Sequence, residues 1–230
     1  MNYAIIAAGG RGKRFQAAVP KQLLPLRGRP VLGWVLKTLQ HEPRVDGIYV
    51  TYPQNDPEIE RRYREVLEQE KITKAQLIQG GEERYHSVRN AFRAIILAAD
   101  SDLVLIHDAA RPLLSSGLLR RLLEAGAAKG AVIPVWPVHE TIKQAEHDRI
   151  VRTIPRQHMF LAQTPQVFPY GMLKAAYASV EPTPEITDEA ILVEKAGFEV
   201  MTVQGERRNI KITEPADLEL AEYYLNQGYE

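Results

Sequence analysis

Tyr3-Ala-Ile-Ile-Ala-Ala-Gly-Gly-Arg-Gly-Lys-Arg-Phe15, followed by Pro20-Lys-Gln22, is the stretch whose reading decides the fold. The apolar run from Tyr3 to Ala8 predicts a buried strand. It opens directly into a loop holding Gly9, Gly10 and Gly12 and the cations Arg11, Lys13, Arg14 and Lys21. Glycines let a backbone turn tightly and bring bare N–H groups up to a phosphate. Cations behind them neutralise several phosphate charges at once. The pattern points to a polyphosphate cradle, against the plainer alternative of a surface turn with scattered charges.

Two known glycine loops do not fit. A P-loop needs Gly-Lys followed by Ser or Thr and a glycine five residues before its second one; here Arg14 follows Gly12-Lys13 and Ala7 holds the earlier position. The dinucleotide fingerprint fits Gly10 and Gly12 but has Phe15 at its third glycine. What remains, Ala8-Gly-Gly-x-Gly-x-Arg14 with Pro-Lys downstream, resembles the signature loop of nucleotidyltransferases that bind a nucleoside triphosphate.

Working outward, 230 residues make one large domain, with 1–230 read as a single unit. The formal net charge is zero, so neither a nucleic-acid nor a membrane surface is expected. Cysteine is absent, which excludes disulfides and thiolate catalysis and fits a reducing, cytoplasmic setting. No leader pattern precedes the first strand, and no apolar run reaches bilayer length.

Strand-like and helix-like patterns then alternate. Helices are expected over residues 31–40, 57–70, 87–99 and 118–129. Strands are expected over 46–52, 75–79, 102–107 and 131–135. Strands separated by helices argue for βαβ units, an α/β fold with a mainly parallel sheet covered on both faces. The alternation breaks near Trp136. Residues 141–154 read as a β-hairpin around His147-Asp148 with too few apolar residues for a core of its own. Such an arm, about 137–156, must lie on the domain or pack against another subunit. A strand over 159–163, helices over 173–179 and 188–196, a strand over 198–203 and a helix over 216–226 complete the reading.

Ligands of open α/β sheets collect at the carboxyl ends of the strands. Polar clusters stand at those ends: the glycine loop, Gly80-Gly-Glu-Glu-Arg-Tyr-His-Ser87, His107-Asp-Ala-Ala-Arg-Pro112, Gln163-Thr-Pro-Gln166, Ile186-Thr-Asp-Glu189 and Asn209-Ile-Lys-Ile-Thr213. In this order and over residues 3 to about 225, they resemble the 2-C-methyl-D-erythritol 4-phosphate cytidylyltransferases of the non-mevalonate isoprenoid pathway. The ribitol-5-phosphate cytidylyltransferases are a close competitor. They share the glycine loop, Pro-Lys-Gln, the Gly-Gly segment and Thr-Pro-Gln, but His107-Asp-Ala-Ala-Arg111 and Thr187-Asp-Glu-Ala190 favour methylerythritol phosphate. A nucleotide-binding module without turnover is the alternative from another class; the presence of Lys21, Asp108 and Lys211 argues for the enzyme.

The resemblance implies a Rossmann-like nucleotidyltransferase fold, CTP as substrate, a magnesium ion and a homodimer clasped by β-arms. It implies a nucleotide site at Ala8, Gly9, Gly10, Gly12, Arg14, Lys21, Gly81, Glu82, Ser87, Asp108 and Ala109. Arg14, Lys21 and Lys211 are the implied catalytic cations, and Asp108 the implied magnesium ligand. Arg111, Thr141, Arg156, Thr164, Thr187 and Lys211 are the implied contacts to the second substrate. The chemistry agrees with these roles. A phosphate monoester is mostly dianionic near neutral pH, its second pKa being about 6, and needs no general base. Catalysis then reduces to positioning and cationic stabilisation. Ser87 is expected to meet the base or to cap its helix, and His107 to pack at the edge of the core.

Overall fold

The computed structural model describes residues 1–10 and 19–228. β1 (Asn2–Ala7) is followed by a short hairpin of β2 (Pro25–Leu26) and β3 (Arg29–Pro30), then α1 (Val31–His41), β4 (Gly47–Tyr52), α2 (Pro57–Gln69) and β5 (Ala75–Gln79). α3 (Arg84–Arg93), β6 (Leu103–Asp108), α4 (Ser116–Lys129) and β7 (Val132–Pro137) continue the alternation. Beyond it run β8 (Ile142–Glu146), β9 (Arg149–Ile154), β10 (Phe160–Ala162), β11 (Gln166–Pro169), α5 (Tyr170–Ser179), α6 (Glu189–Lys195), β12 (Met201–Gln204) and α7 (Pro215–Asn226).

One eight-stranded sheet runs β10-β7-β11-β6-β1-β4-β5, with β12 also paired to β7. β1 lies parallel between β4 and β6, so Ile5 faces Tyr49 on one side and Ile106 on the other. β11 enters antiparallel between β6 and β7. All six residues of β6 are buried, as a strand covered on both faces requires. Side chains alternate between two cores. Ala4, Ile6 and Leu105 face α1, α2 and α4, whereas Tyr3, Ile5, Val104 and Ile106 face α3, α5 and α6. A third cluster joins Leu26 and Val31 to Ile212, Ala221 and Leu225, seating α7 against the β2–β3 hairpin. Among the described residues, no helix is long and apolar enough to cross a membrane.

The α/β alternation and the hairpin arm match the sequence reading, with three differences. The helix expected over 87–99 begins at Arg84 and ends at Arg93. Its apolar continuation forms a turn instead, tied by the Ala99 N–H donating to Asp102, with Ile96 and Leu97 left exposed. β11 was not expected; its run of Val167-Phe168 is too short to register as a strand, although both side chains are fully buried. The β2–β3 hairpin was also not expected. Its turn places Arg27 and Gly28 at φ 50° and 77°, the geometry of a two-residue hairpin turn.

Candidate active site

β1, β4, β5 and β6 are parallel neighbours, so the loops that leave them open on one edge of the sheet, where a crevice is expected. A cavity of about 640 Å³ lies there, lined by Gly9 and Gly10 from the first loop, Gly81 and Glu82 from the third, Asp108 from β6, and Lys21, Lys211 and Thr213 from beyond.

The first loop is anchored from beneath. The buried Ala8 donates its N–H to Thr51 Oγ1 (3.0 Å) and accepts from the Tyr63 hydroxyl (2.9 Å). Gln22, a residue of the Pro-Lys-Gln segment, donates to the Gly10 carbonyl at 3.2 Å. The two glycine segments meet at Ser87. A Cβ at Gly9 would lie 2.9 Å from Ser87 Oγ, and one at Gly80 would lie 2.6 Å from it and 2.8 Å from the Tyr52 carbonyl. Ser87 Oγ accepts the Gly81 N–H (3.0 Å) and donates to the Glu83 carbonyl (3.1 Å). α3 starts three residues before Ser87, so this hydroxyl is no N-cap; it shapes the glycine turn that faces the cavity.

Asp108 closes the floor. Lys211 Nζ lies 2.7 Å from its Oδ2, and Arg84 Nε lies 3.3 Å from its Oδ1. Burial opposes ionisation, but Arg84 and then Lys211 outweigh it and hold the Asp108 carboxyl well below the usual carboxylate range. The Asp108 N–H donates to Thr164 Oγ1 at 3.1 Å, and Thr164 Oγ1 lies 2.9 Å from His107 Nδ1. The Arg111 carbonyl, 3.1 Å from Nε2, can only accept, so the imidazole hydrogen sits on Nε2 and Nδ1 accepts the Thr164 hydroxyl proton. Burial pushes His107 down to about 4. The ring is therefore neutral and works as a strut.

Other side chains of the expected site divide by position. Lys21 Nζ donates to the Ile212 carbonyl at 2.6 Å, which sets it beside the Lys211 segment at the cavity wall. Thr164 is buried and reaches the cavity only through Asp108. Ala109 is buried, and its neighbour Ala110 lines the cavity instead. Arg111 donates to the Asn209 carbonyl at 2.7 Å. Thr187 is exposed, one residue before the Asp188 N-cap of α6. Thr141 and Arg156 stand exposed at the base of the arm, where Arg156 donates to the His139 carbonyl. None of Arg111, Thr187, Thr141 and Arg156 is among the residues lining this cavity. Gly12 and Arg14 lie outside the described residues.

The sequence reading assigned nothing to Arg84, although it stands inside the quoted Gly80–Ser87 segment and lines the cavity. Its Nη1 bridges both oxygens of Glu189, at 2.9 and 2.8 Å. Burial works against the Arg84 charge, but Glu189 and Asp108 prevail and hold the guanidinium protonated. Only the charged Glu-Glu-Arg run after the glycines could have pointed to it. Among the described residues, no three His, Cys, Asp or Glu side chains are grouped to hold a metal ion.

Comparison with known proteins shows the family. The family model for 2-C-methyl-D-erythritol 4-phosphate cytidylyltransferase matches residues 2–227. A relative of that name from Geotalea uraniireducens is 41% identical over 224 residues, spanning 96% of this chain and 95% of its own. One from Actinobacillus pleuropneumoniae is 40% identical over 230 residues, spanning 99% and 97%. Among solved structures, a 4-diphosphocytidyl-2C-methyl-D-erythritol synthase superposes with a TM-score of 0.82 at 35% identity, covering 97% of each chain. The 2-C-methyl-D-erythritol 4-phosphate cytidylyltransferase of Thermus thermophilus gives 0.76 at 33% identity, covering 97% of this chain and 98% of that one.

Proposed function

The chain belongs to the 2-C-methyl-D-erythritol 4-phosphate cytidylyltransferase family, and from that premise we propose that it joins CTP to 2-C-methyl-D-erythritol 4-phosphate, releasing pyrophosphate and leaving 4-diphosphocytidyl-2-C-methyl-D-erythritol. The observation that carries the assignment of roles is the cavity into which Lys21, Asp108 and Lys211 converge from three distant parts of the chain.

The substrate phosphate attacks the α-phosphorus of CTP, the new P–O bond forms, and the bond to pyrophosphate breaks. Two anions must meet, and charge grows on the leaving group, so cations fixed in place do most of the work. Lys21 and Lys211 flank the reacting phosphates, and the resemblance assigns Arg14 to the same cationic task. The backbone of Gly81 and Glu82, held by Ser87, faces the cytosine edge. Asp108 would hold Mg²⁺. One cavity-facing carboxylate already committed to Lys211 suits an ion that arrives with the triphosphate and keeps its phosphate and water ligands, as magnesium does. Bound there, the ion would neutralise phosphate charge.

Arg111 and Thr187 are assigned to the second substrate, with Thr164 acting from beneath through Asp108. Thr141 and Arg156 reach a substrate only if a second copy brings its arm to the cavity, and a homodimer through β-arms is part of this proposal. Small phosphorylated substrates suit a cytoplasmic enzyme. The decisive assay is pyrophosphate release from each nucleoside triphosphate with either methylerythritol phosphate or ribitol 5-phosphate. Turnover confined to CTP with methylerythritol phosphate is expected; preference for ribitol 5-phosphate, or no turnover, overturns the proposal.

A further inference from the structure

We propose that Glu189 and Arg84 are positioning residues for Asp108, their ion pair keeping the Asp108 carboxylate open to the cation that accompanies the nucleotide. The inference rests on the cytidylyltransferase reading of the cavity. Glu189 is 1% exposed and opens α6. It takes Arg84 Nη1 on both oxygens, at 2.9 and 2.8 Å, whereas Arg84 Nε stays 3.3 Å from Asp108 Oδ1. Arg84 Nη2 is buried without a hydrogen-bond partner among the described residues. The guanidinium is thus oriented by Glu189, and only one edge of its fork leans on Asp108.

Glu189 is itself fixed. Gln166 accepts the Ala190 N–H (3.1 Å) and donates to Asp188 (2.8 Å), while Asp188 accepts the Ile191 N–H at the start of α6 (3.0 Å). The Thr164-Pro-Gln166 segment therefore serves Asp108 twice, through the Thr164 hydroxyl beneath its backbone and through Gln166, Glu189 and Arg84 beside its carboxylate. A buried ion pair is often no more stabilising than an apolar pair of similar volume, so stability alone does not account for two charges at this place. Without the Glu189 charge, Arg84 can turn both arms of its fork onto Asp108 as a bidentate pair. A cation arriving with CTP would then compete with a bidentate guanidinium, in place of the single Nε contact at 3.3 Å, as well as with Lys211.

Glu189→Gln and Glu189→Asp test this, each alone and in an Asp108→Asn background, by pyrophosphate release at varied magnesium and by calorimetry of CTP binding with and without magnesium. In the wild-type background, Glu189→Gln is expected to lower kcat about 10- to 100-fold, the usual range for outer partners of a metal ligand, and to raise the half-saturating magnesium concentration. It should weaken CTP binding with magnesium and leave magnesium-free CTP binding unchanged. Glu189→Asp should recover part of both losses. In the Asp108→Asn background, assayed at high enzyme concentration, Glu189→Gln should change kcat less than about twofold, because the route through Asp108 is already lost.

An equal loss in both backgrounds overturns the proposal, as does an unchanged magnesium dependence. Glu189→Gln takes the carboxylate partner from a half-buried guanidinium and can unfold the chain, so the double variant Arg84→Met with Glu189→Leu replaces the pair with apolar side chains. If that variant folds and keeps the wild-type kcat and magnesium curve, the proposal also fails. Wild-type turnover is measured first. Its absence removes the cytidylyltransferase reading, whereas turnover indifferent to Glu189 removes this inference alone.

Discussion

Lys21 is held against the Ile212 carbonyl at 2.6 Å, so its ammonium is in place before any phosphate arrives. One preorganised charge facing transition-state charge is worth roughly 100- to 1,000-fold in kcat, by analogy with oxyanion donors. Lys21→Ala should therefore cost about that much in kcat with little change in thermal stability; a folded variant with wild-type kcat would remove Lys21 from catalysis. His107 makes a prediction about stability. Its folded pKa of about 4 lies below the ordinary 6.5, so between these values the unfolded chain binds the extra proton, and stability falls as pH drops through that window. The loss reaches roughly 3 kcal/mol once pH is near 4, at a slope of at most about 1.4 kcal/mol per pH unit, and vanishes above pH 6.5. Denaturant titrations of wild type and His107→Asn between pH 4 and 7 should show that slope in the wild type alone; parallel curves would mean that the ring is not a buried neutral strut. Lys21, Asp108 and Lys211 were legible in the sequence because they stand in polar clusters whose order resembles a known family, and the fold brings all three to one cavity. Arg84 and Glu189 were not, since a charged residue at a helix start is more often a solvated cap, and only the fold brings residues 105 positions apart within 3 Å.

α4 lies against β11 through Gly126, where an added Cβ would meet Val167 Cγ1 at 2.7 Å. Val167 is itself fully buried, so it cannot swing aside. Glycine inside a helix is unfavourable by about 1 kcal/mol relative to alanine, and an exposed Gly→Ala change would stabilise. Here the contact should reverse the sign, with Gly126→Ala destabilising by about 1–3 kcal/mol through overpacking. Adding Val167→Ala should return part of that loss, making the double variant less destabilised than the two single effects combined. Chemical denaturation of all three variants checks it, and stabilisation by Gly126→Ala alone would refute the tight contact. The same contact explains why β11 escaped the sequence reading. Its two buried apolar residues, Val167 and Phe168, follow Pro165 and the buried Gln166 and precede Pro169, and so short an apolar run between prolines reads as loop. Its place is set by β6 on one side and the close-packed α4 above. β6 itself was legible because a strand buried on both faces is apolar without alternation.

At the scale of the molecule, the alternation of strands and helices settled the sheet, and the sheet gathered the polar clusters on one edge; what one chain does not provide is a partner for the arm. β8 and β9 form their own two-stranded sheet, and nearly every residue in it is exposed. Ile150 and Val151 on the arm and Met159, Phe160 and Leu161 at its base are exposed apolar side chains. β10 stands at one end of the strand order, where unpaired backbone groups offer a template for another chain. A two-fold dimer would cover this surface and carry each arm toward the other copy's cavity. Two defective chains can test that placement. Lys21→Ala damages the cavity of its own chain, and Arg156→Ala damages whichever cavity its arm reaches. If arms cross, one site of a mixed dimer collects both defects and the other collects neither. Random mixing of equal amounts then restores roughly a quarter of wild-type activity, because about half the dimers are mixed and one site in each is intact. If Arg156 serves its own chain, every site keeps one defect and mixing restores nothing. The two proteins are unfolded and refolded together, subunit exchange is verified by mass-tagging one of them, and pyrophosphate release is assayed. Recovery near a quarter establishes the crossed arms; with both variants nearly inactive alone, verified exchange without recovery places Arg156 in its own chain's site.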